Sequence, residues 1–136
     1  MSEISKDQSE LHAVSQRPED TPLSIAMTLG SATRRAGGVF YAVRSDAQAL
    51  VAAGHRVTVF APHDADAPED VPSWAPVKAV IATPVGPAAL GFAPGIGREL
   101  DAGEFDLLHQ HGLWQALSLQ SQRWRRRADK PVVISP

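Results

Sequence analysis

The fold is decided by Leu23-Ser-Ile-Ala-Met-Thr-Leu29 and Arg56-Val-Thr-Val-Phe-Ala61, two apolar runs with a helical pattern between them. Short, nearly continuous apolar runs are typical of strands that are buried on both faces. From Phe40 to Leu50, apolar residues recur at helical spacing, and Gly54 is placed to end that helix. A strand, a crossover helix and a second strand form a βαβ unit, which predicts a parallel sheet.

The rest of the chain continues the alternation of strand and helix. Further strand-like runs lie at 77–83, 105–111 and 131–135. A helix is predicted over 113–127, with an apolar side that extends from Leu113 to Trp124, and a short helix is predicted after Pro94. The polar, proline-rich stretch 63–76 is predicted to be a loop. The sequence therefore predicts a single α/β domain.

Composition excludes several classes of protein. The chain has 136 residues, with 13 Lys and Arg against 15 Asp and Glu, and no cysteine. The near-neutral charge gives no sign of a nucleic-acid-binding domain, and the lack of cysteine excludes a disulfide framework and a thiolate zinc site. No apolar run approaches the roughly 20 residues of a membrane span, and the N-terminus lacks the features of a signal peptide. We therefore expect a cytoplasmic protein.

Residues 1–21 differ in composition from the remainder of the chain. Acidic residues outnumber basic ones there, and the few apolar residues are scattered. Such a segment buries too little apolar surface to offset the entropy lost on ordering. We therefore expect residues 1–21 to form a flexible acidic tail and residues 22–136 to form the domain.

The loop after the first strand is a candidate anion site. It contains Arg34 and Arg35, followed by the pair Gly37-Gly38, and opens directly into a helix. Glycines let backbone N–H groups approach a ligand, a helix N-terminus favours an anion, and arginines add donors suited to phosphate. A tight strand-to-helix turn with two solvated arginines explains the same residues equally well.

A second candidate site is the run His109-Gln110-His111-Gly112 at the end of the fourth strand. Alternation along a strand places His109 and His111 on one face, and Gly112 turns the chain toward the next helix. His111 is then at the carboxyl end of the strand, where a general base, a hydrogen-bonding group or a metal ligand can act. From spacing alone, a metal-free site, a metal site and a purely structural pair all remain open.

Several short motifs occur in a fixed order along the chain. They are Gly37-Gly38, Ala53-Gly54-His55-Arg56-Val57-Thr58-Val59, His109-Gln110-His111-Gly112-Leu113-Trp114 and the closing Pro131-Val-Val-Ile-Ser-Pro136. In this order they resemble the N-terminal half of a retaining glycosyltransferase of family 4, which has the GT-B fold. The resemblance covers residues 23 to 136. It implies a Rossmann-like parallel sheet with helices on both faces.

The resemblance also implies roles for individual residues. His111 matches the active-site histidine of the family, and His109 is expected to support the strand end. Gly37 and Gly38 would face the donor's diphosphate or sugar, and Arg35 matches a basic position of some relatives. The expected substrate-binding residues are therefore Arg35, Gly37, Gly38, His109 and Gly112. The family usually works without a bound metal, and no cofactor is implied besides the nucleotide-sugar co-substrate.

The resemblance implies that this sequence supplies one of the two halves of a catalytic cleft. In the family this domain mainly holds the acceptor, while a second domain, absent from this sequence, binds the nucleotide sugar. Relatives continue after the closing Ser-Pro with His-Gly, so we expect an incomplete domain that is inactive alone and whose partner is the donor domain. The alternative is a non-catalytic Rossmann-like module that binds an anion or a partner chain.

The acceptor is left open by the sequence. A glycan, a lipid-linked sugar and a small molecule are all compatible with this half-fold, and the donor sugar is not specified. The basic run Arg123-Trp-Arg-Arg-Arg127 suggests weak peripheral contact with the inner face of a membrane, although a solvated helix end is the simpler interpretation. No nucleic-acid partner is expected.

Overall fold

The centre of the domain is a parallel sheet, seen in a computed structural model that describes residues 21–87, 92–113 and 115–136. Its strands are β1 (Ser24–Thr28), β2 (Arg56–Pro62), β3 (Lys78–Ala82), β4 (Leu107–His111) and β5 (Val132–Ser135). They lie in the order β3-β2-β1-β4-β5, and every neighbouring pair is parallel. The prediction of a parallel sheet is confirmed. The predicted acidic tail lies outside the described residues, apart from Thr21.

Helices connect the strands. They are α1 (Gly38–Ala52), α2 (Ala67–Asp70), α3 (Pro94–Ala102) and α4 (Gln115–Ala128), with 3₁₀ turns at Arg34–Ala36 and Val71–Trp74. Gly54, with φ of 100°, follows the end of α1, as its position in the sequence predicted. The short helix predicted after Pro94 is α3.

The two faces of the sheet are covered by different helices. On one face, Phe40, Val43 and Ala47 of α1 are buried against side chains of β1 and β2. On the other face, side chains of α3 and α4 pack on Phe60 and Leu108. Each fully buried side chain of this size contributes about 1.5–3 kcal/mol of stability relative to an exposed one. The domain is thus a Rossmann-like α/β fold with helices on both faces.

The stretch 63–76 is not the plain loop that its composition predicted. It contains α2 and the turn Val71–Trp74, and a proline stands in the first turn of each. Proline is favoured there because its φ angle suits a helix start and its missing N–H would have no helical partner. Trp74, completely buried, holds the segment against α1, where its ring contacts Phe40 edge to face.

The predicted start of the last helix is also wrong. Helix α4 begins at Gln115, and Leu113 lies before it with 67% of its surface exposed. Leu117, Ser121 and Trp124 are buried, so the predicted apolar side is correct from Leu117 onward. Gly112, with φ of 91°, bends the chain before the helix and turns Leu113 away from the core. Trp114, the last residue of the histidine motif, lies outside the described residues.

Candidate functional site

A cleft of about 660 Å³ lies at the carboxyl ends of β1, β4 and β5. Its floor is formed by the strand ends, and one of its walls is the first half of α1. The lining residues are Leu29, Gly30, Ser31, Arg35, Ala36, Val39, Ala42, Val43, Asp46, His109, His111, Gly112, Ser135 and Pro136. In parallel α/β sheets this edge is where ligands bind. The cleft therefore brings together the two regions that the sequence singled out.

Side-chain hydrogen bonds hold the loop after β1. The Asp64 carboxylate accepts from the Ser31 hydroxyl at 2.6 Å, the Thr33 hydroxyl at 2.9 Å and the Asp66 backbone N–H at 2.9 Å. Burial alone would raise the pKa of Asp64, but these hydrogen bonds and the positive charge of Arg35 outweigh it, so the pKa is lowered. The ionised carboxylate thus fixes the loop that precedes α1.

The two loop arginines are already engaged. Arg34 donates from Nε and Nη2 to the two carboxylate oxygens of Asp70, each at 2.9 Å, and also contacts Glu69. Arg35 donates from Nε to Asp66 at 2.9 Å, although 56% of its side chain is exposed. Arg35 lines the cleft and Arg34 does not. Of the arginines proposed as phosphate donors, only Arg35 is therefore positioned for that role.

The glycine pair forms the entrance to α1. Gly37 adopts φ of 61° and ψ of −135°, a conformation that side-chain-bearing residues rarely adopt, and Gly38 is the first residue of the helix. No atom lies within 4 Å of the position that a Cβ would take at either residue. The backbone at the N-terminus of α1 is thus open to a ligand, and it carries N–H groups without helical partners.

The two histidines are neighbours on the face of the sheet that α1 covers. Their ring centroids lie 3.9 Å apart, with the ring planes tilted by 33°. His109 Nε2 lies 2.7 Å from the Ser135 hydroxyl at the end of β5. Through this bond His109 joins the ends of two strands. The Gly112 backbone N–H also donates to the Ser135 carbonyl at 2.7 Å, which fixes the turn after His111.

His111 is electrostatically unusual. Burial, reinforced by the nearby His109 and opposed by the Asp46 carboxylate, lowers the pKa of His111 to about 4. Its imidazole is therefore neutral near pH 7. Its Nε2 atom is inaccessible to solvent and has no hydrogen-bond partner among the described residues. A buried polar atom without a partner is costly, and the imidazole that carries it lines the cleft.

Sequence reasoning missed Asp46, Asp64 and Ser135. Asp46 lies seven residues after Val39, at the spacing that returns to the same face of a helix, and this signal was available in the sequence. The roles of Asp64 and Ser135 depend on contacts between distant parts of the chain, which no local pattern reveals. His55 accepts a hydrogen bond from the Leu23 backbone N–H at Nδ1, which links the end of the α1–β2 connection to the start of β1.

Neither a metal cluster nor a membrane span occurs within the described ranges. No three His, Asp or Glu side chains there come together as a group that could hold a metal ion. In the same ranges no helix combines the length and the apolar character needed to cross a lipid bilayer.

Known structures of the same fold include two different kinds of protein. A glycosyltransferase from Rickettsia africae matches with a TM-score of 0.56 and 13% identity, over 84% of this chain and 29% of its own. The C-terminal domain of a hydrogenase from Pyrococcus furiosus matches with a TM-score of 0.57 and 14% identity, over 85% of this chain and 91% of its own. At such low identity these matches establish the fold alone. The chain spans less than a third of the Rickettsia glycosyltransferase.

Sequence comparison identifies the family. No curated protein matches this sequence. The model of Glycosyltransferase Family 4, in contrast, matches residues 36–136, which include the glycine pair, both cleft histidines and the closing Ser-Pro. The match covers most of the chain, and its last residue, Pro136, also lines the cleft. This chain belongs to glycosyltransferase family 4.

Proposed function

We propose that this chain is the acceptor-side domain of a retaining glycosyltransferase that takes a sugar from a nucleotide-sugar donor. The observation that carries the proposal is the shared cleft, which Arg35 and Ala36, just before the N-terminus of α1, line together with His111 at the end of β4. In a family 4 chain, a donor's diphosphate and its transferred sugar would need these two features side by side. The reaction replaces the diphosphate at the anomeric carbon with an acceptor oxygen and retains the configuration.

The entrance of α1 suits the diphosphate. Gly37 and Gly38 carry no side chain that would block approach, and the helix N-terminus presents N–H donors to a negative group. Arg35 adds a guanidinium at the same end of the cleft. These donors stabilise the negative charge that develops on the leaving phosphate. Gly112 contributes by its small size, since it lets the sugar approach the end of β4.

His111 suits a sugar hydroxyl. Because its pKa is about 4, the ring is neutral at the pH of the cytoplasm and offers one N–H donor and one acceptor nitrogen. The imidazole lines the cleft, so the part of the ring that faces the cavity can form a hydrogen bond with an entering hydroxyl. His109, bonded to Ser135, positions His111 and does not itself reach the sugar. No cofactor or metal is required in this scheme.

The partner in this proposal is a donor-binding domain. This chain matches 29% of the length of the Rickettsia glycosyltransferase. The remaining length of that protein is sufficient for a second domain, and we propose that a comparable domain supplies the opposite wall of the cleft here. We place the protein in the cytoplasm. The arginines at the end of α4 would give weak contact with an anionic membrane surface, although Arg127 already pairs with Asp101 at 2.6 Å.

The decisive experiment measures sugar transfer by this domain joined to a donor-binding domain. We expect His111→Ala to lower kcat/KM by about 100-fold or more, because an interaction made with the reacting sugar is lost. His63→Ala is the matched control, because His63 is exposed and does not line the cleft. Transfer unchanged by His111→Ala would refute the proposed role of this residue.

The alternative, a non-catalytic module that binds an anion or a partner chain, makes a different prediction. It requires saturable binding of phosphate or a nucleotide by the isolated chain, and loss of that binding in Arg35→Ala. Its support is weakened at Arg34, which pairs with Asp70 and Glu69 and does not line the cleft. The open glycine pair serves both hypotheses, so the binding measurement separates them.

A further inference from the structure

One charged residue of the cleft has no part in the proposed reaction. Asp46 lies on α1, seven residues after Val39, and lines the cleft together with His109 and His111. The same three residues also line an adjoining groove that continues past Met27 and Leu50. Asp46 thus stands where the two cavities meet, opposite both imidazoles.

The charges in the cleft are unevenly satisfied. Arg35, the cation of the lining, donates to Asp66 at 2.9 Å. Both histidines have lowered pKa values because of burial, so neither supplies a positive charge near pH 7. Within the described part of the chain, Asp46 has neither an ion-pair nor a hydrogen-bond partner. Asp46 is exposed, so the cleft presents a solvated carboxylate at its α1 wall that has no protein partner among the described residues.

The surroundings of Asp46 favour a cationic ligand over an anionic one. The cleft wall between Asp46 and the glycine pair consists of Val39, Ala42 and Val43, which offer no competing polar group. A phosphate placed here would face a carboxylate with no free cation beside it. An ammonium group would complete an ion pair with Asp46, while its hydroxyl neighbours bond the imidazoles.

We infer that the acceptor taken by this cleft bears an amino group, which Asp46 binds, and that the cleft discriminates against phosphorylated acceptors. This inference rests on the proposed function, because it concerns the acceptor of that reaction. The amino group is a recognition element only. The bond to the transferred sugar forms at a hydroxyl elsewhere on the acceptor, so the ammonium neither gains nor loses a bond.

The test uses three probes that differ at one position. They are 6-amino-6-deoxyglucose, glucose and glucose 6-phosphate, which carry a cation, a neutral hydroxyl and an anion on the same ring. Each is titrated into this chain near pH 7 while the imidazole NMR signals of His109 and His111 are followed. We expect the amino sugar to bind about three- to tenfold more tightly than glucose, and glucose 6-phosphate to bind most weakly.

Two variants assign the preference to its residue. Asp46→Asn keeps the shape of the side chain and removes the charge, so the amino sugar should bind no better than glucose. Asp129→Asn is the control, because it makes the same charge change outside the cleft, and asparagine tolerates the φ of 54° found there. The control should leave the preference unchanged.

Three results would overturn the inference. They are tighter binding of the phosphate than of the amine, a preference that survives Asp46→Asn, and no shift of the histidine signals at the highest soluble amino-sugar concentration. None of these would touch the proposed function, which depends on loss of transfer in His111→Ala. Conversely, the amino sugar could bind preferentially while this domain joined to a donor-binding domain transfers no sugar. That result would support the Asp46 binding site and refute the proposed transfer reaction.

Discussion

Two sides of the cleft are held in place in different ways: the loop after β1, called here the β1 wall, and the end of β4, called the β4 wall. The loop after β1 is tied by side chains from distant segments: Asp64 binds Ser31 and Thr33, and Trp74 donates from Nε1 to the Ala32 carbonyl at 2.8 Å. The end of β4 is held by its strand neighbours and by side-chain bonds to nearby segments: His109 bonds Ser135 of β5, and Gln110 donates from Nε2 to the Gly112 carbonyl and the Ser118 hydroxyl.

The contrast extends to unsatisfied groups. The β1 wall has its buried polar atoms paired within the described residues, except for Thr28 Oγ1 at the end of the strand. The β4 wall leaves His111 Nε2 and Gln110 Oε1 without partners. The β1 wall is thus fixed by side chains of the domain itself, and at the β4 wall His111 is the residue with an unpartnered nitrogen that also lines the cleft. This difference predicts that mutations will act on stability at the first wall and on ligands and pH at the second.

The largest expected effect is at the β1 wall. Trp74→Ala removes a fully buried indole that packs on Phe40 and bonds Ala32, and we expect a loss of about 3–5 kcal/mol in the free energy of unfolding. Urea denaturation followed by circular dichroism measures the loss.

Trp74→Phe separates the two contributions of that side chain. It keeps most of the ring volume and loses the hydrogen bond to Ala32, so the expected loss is smaller, about 1–2 kcal/mol. If Trp74→Ala costs less than about 1 kcal/mol, the β1 wall does not depend on this anchor and the comparison fails.

The next effect is a pH dependence at the β4 wall. The folded pKa of His111 is about 4, below the ordinary value of 6.5, so the folded state binds fewer protons than the unfolded state between these values. Stability is then fully present above about pH 6.5 and falls as the pH drops toward 4. Allowing for partial solvent exposure, we expect a loss of about 1–2 kcal/mol over this window from His111.

His111→Gln tests this assignment because glutamine does not titrate. Urea midpoints measured at pH 7 and pH 5 should differ less in this variant than in the unmodified chain. His63→Gln, at an exposed position outside the cleft, should keep the full pH dependence. Equal pH dependence in all three proteins would show that His111 is not the responsible group.

Local patterns predicted the sheet correctly because its strands are buried on both faces. Runs such as Leu23–Leu29 must be nearly all apolar when helices cover both sides, and this constraint is visible in any single strand. The stretch 63–76 escaped prediction because its prolines are equally compatible with a loop and with helix starts. Trp74 favours the helical turns over a loop, because it is buried against Phe40 of α1. That contact joins distant parts of the chain and is not visible in the local sequence.

The site was predictable only in part, for a related reason. Arg35 and His111 carry short-range signals, a residue type in a fixed relation to a strand end, and the structure brings both to one cleft, which Gly37 and Gly38 do not line. Asp64 acts through partners 31 and 33 residues away, so no window of local sequence contains the interaction. Helical spacing places Asp46 away from the core, but the groove it faces exists only because β4 lies beside β1.

The smallest expected effect lies at the glycine pair, where the loop after β1 enters α1. Gly37 and Gly38 are both open, with no atom within 4 Å of the position that a Cβ would take, so steric contact cannot distinguish them. Backbone conformation distinguishes the two glycines, because Gly37 has φ of 61° and Gly38 is helical. Gly37→Ala should therefore cost about 1 kcal/mol, whereas Gly38→Ala should be neutral or stabilise by up to about 0.5 kcal/mol.

Thermal unfolding of the two single variants, measured side by side, tests this difference, since each serves as the other's control. If both alanines are tolerated equally, the loop relaxes around Gly37 and the β1 wall is less rigid than its hydrogen bonds imply. If Gly37→Ala alone is destabilising, the open backbone at the entrance of α1 is held in a conformation that only glycine adopts easily. A rigid, unobstructed helix entrance is what a diphosphate needs, so this small difference bears directly on the proposed donor contact.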